Sequence, residues 1–172
     1  MRRPPNAAFN PKFTKKTVKF GGGSIMVWGC FSYNGIGPLY WIKEIMTKEI
    51  YRDILNDIML LYAKENMPLI WTFQQDNDPK HSSKLVKTWF EDNQVSVIKW
   101  PAQSPDLNPI ENLWHEIKKA IPKEKITNKT QLWQEVQKAW YSIPKSICER
   151  LVDSMSRRCQ AVLQNKGHAT KY

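Results

Sequence analysis

Residues 69–100, LIWTFQQDNDPKHSSKLVKTWFEDNQVSVIKW, indicate the fold class because a strand, a helix and a second strand follow one another. The apolar run Leu69–Gln75 predicts the first strand, and Val95–Trp100 predicts the second. Between them, Asp78 is placed to cap a helix whose first residue is Pro79. The apolar face of that helix recurs at helical spacing and consists of Leu85, Val86, Trp89 and Phe90.

The segments before this unit predict two more strands and a helix. Ser24–Ser32 and Gly37–Ile45 are apolar runs on either side of an Asn-Gly turn signal at Asn34, so they are predicted to pair as a β-hairpin. Thr47 can cap the helix that follows. Its apolar residues recur at helical spacing and are Ile50, Ile54, Leu55, Ile58 and Leu61.

The segments after the unit predict helices. A proline-marked loop at Ala102–Asn108 leads to a helix over Pro109–Ala120, and two further helices are predicted at Thr130–Tyr141 and Pro144–Gln164. Most of the tryptophans fall on predicted strands or helices, which favours a role in the core over base stacking. The order of elements therefore predicts an α/β fold, a mixed sheet flanked by helices.

Composition narrows the class of protein. The 172 residues carry a formal net charge of +10, from 26 Lys and Arg against 16 Asp and Glu, which favours a polyanionic partner such as DNA. No apolar run is long enough to span a membrane. Cys30, Cys148 and Cys159 lack CxxC spacing, so they are predicted to be reduced, buried thiols and not a disulfide or zinc framework.

Two regions are expected along the chain. Residues 1–23 form a basic, proline-containing extended arm that ends in the glycine-rich hinge Gly21–Gly23, and residues 24–172 form the α/β domain. The glycines are interpreted as a hinge and not as a phosphate loop, because no GK[ST] sequence follows them and the next segment has a strand pattern.

Two carboxylates are notable for their positions. Asp76 directly follows the strand Leu69–Gln75, where strand ends commonly open onto the functional crevice of an α/β sheet. Because Asp78 is better placed as the helix cap, Asp76 has no evident structural task. Glu111 has two interpretations. It follows Asn108 at the spacing of a capping box, and it is also available as a metal ligand.

Longer phrases around these residues resemble a known family. Gln75–His81 (QDNDPKH) and Trp100–Trp114 (WPAQSPDLNPIENLW) resemble the second and third catalytic blocks of Tc/mariner DDE transposases, with 34 residues between Asp76 and Glu111. Val18–Ser32 and the ending Lys166–Tyr172 are similar to Sleeping Beauty-like members of that family.

The resemblance implies a ribonuclease-H-like fold and two-metal phosphoryl transfer, with cleavage and transfer of DNA strands during transposition and integration. Asp76 and Glu111 would be catalytic ligands of Mg²⁺ or Mn²⁺, which prefer oxygen donors. DNA would be the partner, and the protein would work in the nucleus. Asp78, Lys80 and His81 lie near enough in sequence to contact DNA, although capping and solvation explain them better.

The chain also departs from the family. The family's first catalytic Asp lies on the first, central strand of the sheet, upstream of the segment that matches residues 1–19, and no Asp or Glu precedes Glu44 here. The paired helix-turn-helix modules are likewise not found. We therefore expect a truncated catalytic domain that lacks this strand and is inactive alone. A nuclease that shares the fold is a further, less specific interpretation.

An alternative function keeps the basic surface without catalysis. In this hypothesis the chain is a non-catalytic DNA-binding module that forms homodimers, or heterodimers with full-length transposase, and thereby inhibits it. Binding to DNA would then be indifferent to sequence and would fall steeply with salt.

Overall fold

The computed structural model describes residues 23–101, 104–122, 126–166 and 170. The arm and hinge predicted over residues 1–23 therefore lie outside the described residues, except for Gly23. The elements follow the predicted order of strands and helices. They are β1 (Met26–Ser32), β2 (Gly35–Ile42), α1 (Lys48–Ile54), α2 (Leu60–Asn66), β3 (Thr72–Phe73), α3 (Lys84–Asp92), β4 (Ser96–Val97), α4 (Ile110–Ala120), α5 (Lys129–Tyr141), α6 (Lys145–Asp153) and α7 (Met155–Gln164). A π-helical segment, Leu55–Met59, joins α1 to α2, and a 3₁₀ turn, Pro105–Leu107, precedes α4.

The predicted hairpin is confirmed. β1 and β2 pair antiparallel, with a bulge between Gly29 and Phe31. The loop consists of Tyr33 and Asn34, and Gly35 follows at φ +131°, a conformation that side-chain-bearing residues rarely adopt. The Asn-Gly signal therefore marks the correct turn, with the glycine at the start of the second strand.

The second sheet is shorter than the sequence predicts. β3 and β4 pair in parallel through two residues each, Thr72 with Ser96 and Phe73 with Val97, and Ile98 donates its amide hydrogen bond to the Phe73 carbonyl at 2.9 Å. The prediction of strands over residues 69–75 and 95–100 was too long, since strand geometry requires a hydrogen-bonding neighbour. Leu69 and Ile70 instead lie fully exposed.

The hairpin and the β3–β4 pair form separate two-stranded sheets within the described residues. Trp28 of β1 nevertheless packs against the same core cluster as Phe73 of β3. The two sheets therefore border one core without hydrogen-bonding to each other. The absence of the family's central strand stays a prediction.

The helix after β3 begins later than predicted. The Asp78 carboxylate accepts a hydrogen bond from the Lys80 amide at 2.9 Å, and the Ser82 amide bonds to the Asp78 carbonyl at 3.0 Å, which closes a single turn. Ser83 is then extended (φ −62°, ψ 154°), and its hydroxyl caps α3 by accepting from Val86. The prediction that α3 begins at Asp78-Pro79 was therefore wrong. Asp78 caps a single separate turn, and the extended backbone at Ser83 divides that turn from α3.

The long C-terminal helix predicted at residues 144–164 is two helices. Ser154 lies between α6 and α7, and its hydroxyl donates to the Leu151 carbonyl at 2.6 Å while accepting from the Arg158 guanidinium. Such side-chain to backbone bonds compete with regular helical geometry and bend helices. The helix predicted at 130–141 is confirmed as α5.

Two clusters of apolar side chains form the core. The first lies between α1, α2 and α3 and contains Tyr51, Leu55, Met59, Leu60, Ala63, Val86, Trp89 and Phe90. The second lies between β2, α4 and α5 and contains Leu39, Leu113, Ile117, Val136 and Trp140. Trp28 and Trp71 pack against the first cluster, and Trp114 and Trp133 against the second, which confirms a core role for these residues.

The predicted state of the cysteines is right in part. Each of the three cysteines has a free thiol, Cys148 is buried and Cys30 is half-buried, and burial raises the pKa of the Cys30 thiol to about 12. Cys159 is exposed, so its predicted burial was wrong.

None of the described helices is both long and apolar enough to cross a bilayer.

Candidate active site

Asp76 lies in the loop that leaves the carboxyl end of β3, as the sequence predicts for a crevice residue. Its side chain is about half exposed (53%), and one carboxylate oxygen accepts from the Asp78 amide at 3.1 Å and contacts His81 Nδ1 at 2.6 Å. Because an ionised carboxylate only accepts hydrogen bonds, this contact places a proton on Nδ1. The expectation that Asp76 has no structural task was therefore wrong.

His81 is held on its other face by the first core cluster. Its ring stacks on Tyr51 with centroids 4.0 Å apart, and its carbonyl accepts from the Gln75 amide group at 3.2 Å. The Tyr51 hydroxyl in turn donates to Gln75 Oε1 at 2.6 Å. Burial, reinforced by the nearby negative charge of Asp76, raises the pKa of Tyr51, which keeps the phenol a neutral donor. A chain of contacts that starts from the buried Tyr51 thus orients Asp76.

The side chains of Asp78 and Lys80 pair with each other. The Lys80 ammonium lies 2.8 Å from the Asp78 carboxylate. Partial burial opposes ionisation of Asp78, but the hydrogen bonds from the Lys80 side chain and amide, with the charges of His81 and Lys80, lower its pKa overall. This supports the structural interpretation of both residues.

Glu111 lies in the first turn of α4 and is exposed. Pro109 is the N-cap of α4, and its side chain has no atom that could make a capping hydrogen bond. The side-chain oxygen of Asn108, the residue before it, accepts from Gln74 Nε2 at 3.4 Å. The capping-box interpretation of Asn108 and Glu111 was therefore wrong. Within the described residues the Glu111 carboxylate makes no hydrogen bond or ion pair, so it is available to a ligand.

The bond from Gln74 to Asn108 joins the two segments that carry the candidate carboxylates. Gln74 lies two residues before Asp76, and Asn108 lies three residues before Glu111. A second bond holds the Asp76 loop to the chain after β4, from Asn77 Nδ2 to the Trp100 carbonyl at 2.8 Å. The fold therefore joins the two motifs through neutral amide side chains, and sequence patterns did not predict these contacts.

A cavity of about 530 Å³ opens beside Asp76. The loop after β3, helix α3 and the segment after β4 line it, and its polar wall includes His81, Lys87 and Lys99, with Trp100 at one side. Its volume falls within the range of small-molecule sites. Glu111 is not part of the lining, so the cavity adjoins Asp76 and not the whole candidate pair.

The candidate residues fit a hard divalent cation in kind. Asp76 retains a carboxylate oxygen without a described partner, and Glu111 is exposed. Both offer the oxygen donors that Mg²⁺ and Mn²⁺ prefer. Among the described residues, however, there is no group of three or more His, Cys, Asp or Glu side chains arranged to hold a metal ion. The two carboxylates therefore have the right chemistry for such a cation, but they are fewer than the three groups that a metal site of this kind would have.

The fold and the site together define an α/β protein with two candidate carboxylates on segments that a hydrogen bond joins. Comparison with known proteins gives the class. Residues 10–133 match the family described as DDE superfamily endonuclease. The chain belongs to this family.

More particular relatives are transposases of nematodes. The chain is 45% identical over its 172 residues to the Tcb1 transposase of Caenorhabditis briggsae and to the Tc1 transposase of Caenorhabditis elegans. The match includes all of this chain and 63% of each relative, so the chain spans less than two thirds of the length of these relatives. The resemblance to Tc/mariner transposases is confirmed.

Solved structures confirm the fold. The catalytic domain of Mos1 transposase, determined with raltegravir and Mn, superimposes with a TM-score of 0.78 at 17% identity, covering 86% of this chain and 78% of that one. The Mos1 paired-end complex with left transposon end superimposes with a TM-score of 0.79 at 18% identity, covering 92% and 47%. The predicted ribonuclease-H-like α/β fold is confirmed by this likeness.

The turn before α4 gives a pH-dependent prediction. Asp106 accepts a hydrogen bond from the Thr170 amide at 2.5 Å, and this contact, chiefly, lowers the Asp106 pKa below its ordinary value of 3.8. A carboxyl with a lowered folded pKa stabilises the folded state fully above its unfolded pKa, and loses that stabilisation as pH falls through the folded pKa. We expect the Thr170 amide resonance to shift on acidification, with a midpoint below 3.8.

An NMR titration from neutral pH to about pH 2 checks this expectation. The Asp106→Asn variant is the control, in which the acid transition of the Thr170 amide disappears while the rest of the spectrum is retained. A midpoint above the ordinary carboxyl value, or an unchanged transition in Asp106→Asn, would contradict the assignment.

Proposed function

We propose that this chain is the catalytic-domain portion of a Tc/mariner-type DDE transposase, which acts on DNA strands during transposition and integration. The observation that carries the proposal is the link between the loop that holds Asp76 and the start of α4, which holds Glu111. The link runs through Gln74 and Asn108, and it joins an oriented Asp76 to an accessible Glu111. The family and the 45% identity to Tc1 and Tcb1 support it.

Asp76 and Glu111 would hold the divalent cation, Mg²⁺ or Mn²⁺. When bound, such ions polarise a phosphate and stabilise the charge that develops on the leaving oxygen. The solved Mos1 structures include one described with Mn and one with Mg. In this chain, His81 and the Asp78 amide bind one oxygen of Asp76, which leaves the other oxygen directed to a ligand.

The residues around Asp76 have a positioning task. A half-exposed aspartate samples several rotamers, and the contact with His81 Nδ1 selects among them. His81 is itself fixed by stacking on buried Tyr51, so its ring cannot turn freely. The pair presents a carboxylate of defined direction in the loop, as metal coordination requires.

We also propose that the 172-residue chain does not cleave DNA alone. Asp76 and Glu111 are the two candidate carboxylates that these residues supply. Two carboxylates hold a divalent ion weakly, and a second ion would lack ligands. Nicking of a plasmid by the pure chain with Mn²⁺, lost on Asp76→Asn substitution, would overturn this part of the proposal.

A binding experiment tests the metal ligands independently of cleavage. Adding Mn²⁺ to the isotope-labelled chain is expected to broaden the amide resonances around Asp76 and Glu111 first, because paramagnetic broadening acts over short distances. Asp76→Asn and Glu111→Gln should each weaken the apparent affinity for Mn²⁺ by about tenfold or more, since each removes one of two charged oxygen ligands.

Asp92→Asn is the matched control. Asp92 is an exposed carboxylate at the end of α3 that makes no described ion pair, and its replacement removes the same charge away from the site. If Asp92→Asn reduces the Mn²⁺ broadening as much as Asp76→Asn does, Mn²⁺ binds according to general surface charge. The assigned ligands would then be wrong.

The net charge of +10 favours a second candidate function, a non-catalytic DNA-binding module. It would bind DNA through its basic surface, and as a homodimer or a heterodimer with full-length transposase it would act as an inhibitor. The DNA partner is supported by the Mos1 structure described with left transposon end. Either function places the protein in the nucleus, which imaging of a tagged chain tests.

A further inference from the structure

Arg158 of α7 is a buried cation whose side chain reaches the segment that carries Glu111. Its relative exposure is 2%, the lowest of the described charged residues. Nε donates to the Ser154 hydroxyl at 2.7 Å, Nη1 to the Asp106 carbonyl at 2.9 Å, and Nη2 to Asn112 Oδ1 at 2.8 Å. One planar group thus bonds to three elements: the α6–α7 junction, the 3₁₀ turn and the first turn of α4.

Burying a guanidinium is costly unless its N–H groups are satisfied, so a buried arginine fixes the positions of its acceptors. Two of these acceptors lie on either side of Glu111 in sequence, Asp106 before it and Asn112 directly after it. The rigid fork therefore joins the backbone of the 3₁₀ turn to the side chain of Asn112, the residue directly after Glu111.

We propose that Arg158 is a positioning residue for Glu111, which it places by clamping the 3₁₀ turn Pro105–Leu107 and the first turn of α4 together. The proposal rests on the proposed role of Glu111 as a metal ligand. The clamp acts from the side of α4 away from solvent, since Arg158 is buried whereas Glu111 is exposed. The Glu111 carboxylate makes no hydrogen bond or ion pair with another described residue that could hold it in place.

A second contact holds the same turn. The Asp106 carboxylate accepts from the Thr170 amide, and the nearby positive charge of Arg158 also contributes to the lowered Asp106 pKa. The turn is thus held by its carbonyl through Arg158 and by its side chain through Thr170. The Thr170 contact supports the turn alone, whereas Arg158 also reaches Asn112 and so determines where α4 begins.

Substitution of Arg158 tests the clamp through hydrogen exchange. The Glu111 and Asn112 amides bond to the carbonyls of Asn108 and Pro109 at 3.2 Å each, so their exchange reports on this turn. In Arg158→Met, we expect these two amides to exchange about 10- to 100-fold faster, because bonds to a charged donor are lost. Arg158→Lys should restore only part of the slow exchange at these two amides, since an ammonium group lacks the planar fork of a guanidinium.

Arg157→Met is the matched control, an exposed arginine on the same helix without a described ion pair. Equal exchange rates at Glu111 in Arg158→Met and Arg157→Met would overturn the proposal. Should Arg158→Met unfold the chain, Asn112→Ala removes one acceptor alone. It should accelerate exchange in the first turn of α4 and leave α3 unchanged, and a uniform increase throughout the chain would also overturn the proposal.

The Mn²⁺ titration separates a positioning role from general stability. In Arg158→Met, broadening should persist around Asp76 and weaken by about tenfold around Glu111. Equal weakening at both residues would overturn the positioning role. If the unmodified chain shows no broadening at either carboxylate, the proposed metal ligands are wrong, and this result is distinct from an unchanged exchange rate in Arg158→Met.

Discussion

Replacing Trp140 with alanine is expected to remove about 3–5 kcal/mol from the free energy of unfolding. Trp140 is fully buried at the centre of the second core cluster and stacks on Trp114 with centroids 5.1 Å apart. Its indole N–H also donates to the Gly37 carbonyl at 2.9 Å, a bond between α5 and β2. Alanine leaves both a cavity and an unsatisfied carbonyl, in a domain whose total stability is about 5–15 kcal/mol.

Urea denaturation followed by circular dichroism measures this loss, with Trp133→Ala as the matched control. Trp133 lies on the same helix, is half-buried and stacks on Trp41 at 5.7 Å. Trp133→Ala should lower the free energy of unfolding clearly less than Trp140→Ala, because part of the Trp133 surface is already in water in the folded state. Trp140→Phe keeps an aromatic ring but loses the N–H group, so its loss of unfolding free energy should lie between those of Trp133→Ala and Trp140→Ala. Equal losses for the two alanine variants would contradict the central place of Trp140.

The second cluster also explains the glycine at position 29. A Cβ at Gly29 would lie 3.0 Å from Trp140 Cη2 and 3.1 Å from both Trp114 Cη2 and Leu39 Cδ1. The hairpin can approach the two indoles only because β1 has no side chain at this point. Sequence patterns predicted the hairpin and a buried role for the tryptophans, and this contact shows how the two features depend on each other.

Element order was predictable because it depends on local periodicity and turn residues. Thr47 caps α1 as predicted, its hydroxyl accepting from the Ile50 amide at 3.3 Å. Strand length was not predictable, since hydropathy reports the tendency to be buried and a strand also needs a neighbour. Leu69 and Ile70 are apolar yet fully exposed, because within the described part of the chain β3 pairs with β4 over only two residues.

The prediction of where α3 begins was wrong for a different reason. Both Asp78 and Ser83 are good caps, and the sequence alone favoured Asp78 because a proline follows it. Lys80 decides the outcome, since its amide and its ammonium both bind the Asp78 carboxylate and close a tight turn. A short-range competition between two caps therefore determines where α3 begins, and it also leaves His81 outside the helix, within reach of Asp76.

The candidate carboxylates were found from their positions and from motif resemblance, whereas the contacts that support them were not predicted. Gln74, Asn108 and Arg158 act through contacts between residues 34 to 52 positions apart in the chain. No periodicity or spacing marks such pairs, because an amide or an arginine has the same local preferences whether or not it meets a distant partner. A helical arginine four residues after a serine is common on exposed faces, and only the packing shows that Arg158 is buried.

Charge provides the remaining link between composition and function. Lys87 and Lys99 line the cavity beside Asp76, on α3 and after β4, so part of the net charge of +10 lies next to the candidate carboxylate. Phosphate groups that approach Asp76 would meet these two ammonium groups. Each phosphate contact releases condensed counterions, which makes the affinity for DNA depend strongly on salt.

We expect the chain to bind double-stranded DNA without sequence preference and with a steep salt dependence. If about six to ten phosphates are contacted, the affinity should fall by about 10³- to 10⁵-fold between about 50 and 200 mM salt. Fluorescence anisotropy of a labelled duplex over this range measures the slope. The double variant Lys87→Gln, Lys99→Gln should reduce the magnitude of that slope by about two, one for each lost phosphate contact.

Lys138→Gln is the control, because Lys138 is exposed on α5 and outside the cavity lining. It should leave the slope almost unchanged if the cavity edge contacts DNA. Salt-independent binding would contradict an electrostatic interface altogether. Equal effects per charge at Lys138 and at the cavity would instead mean that the whole basic surface attracts DNA without orienting it. In that case Asp76 would not be brought to a phosphate, and the non-catalytic function would be favoured over the catalytic one.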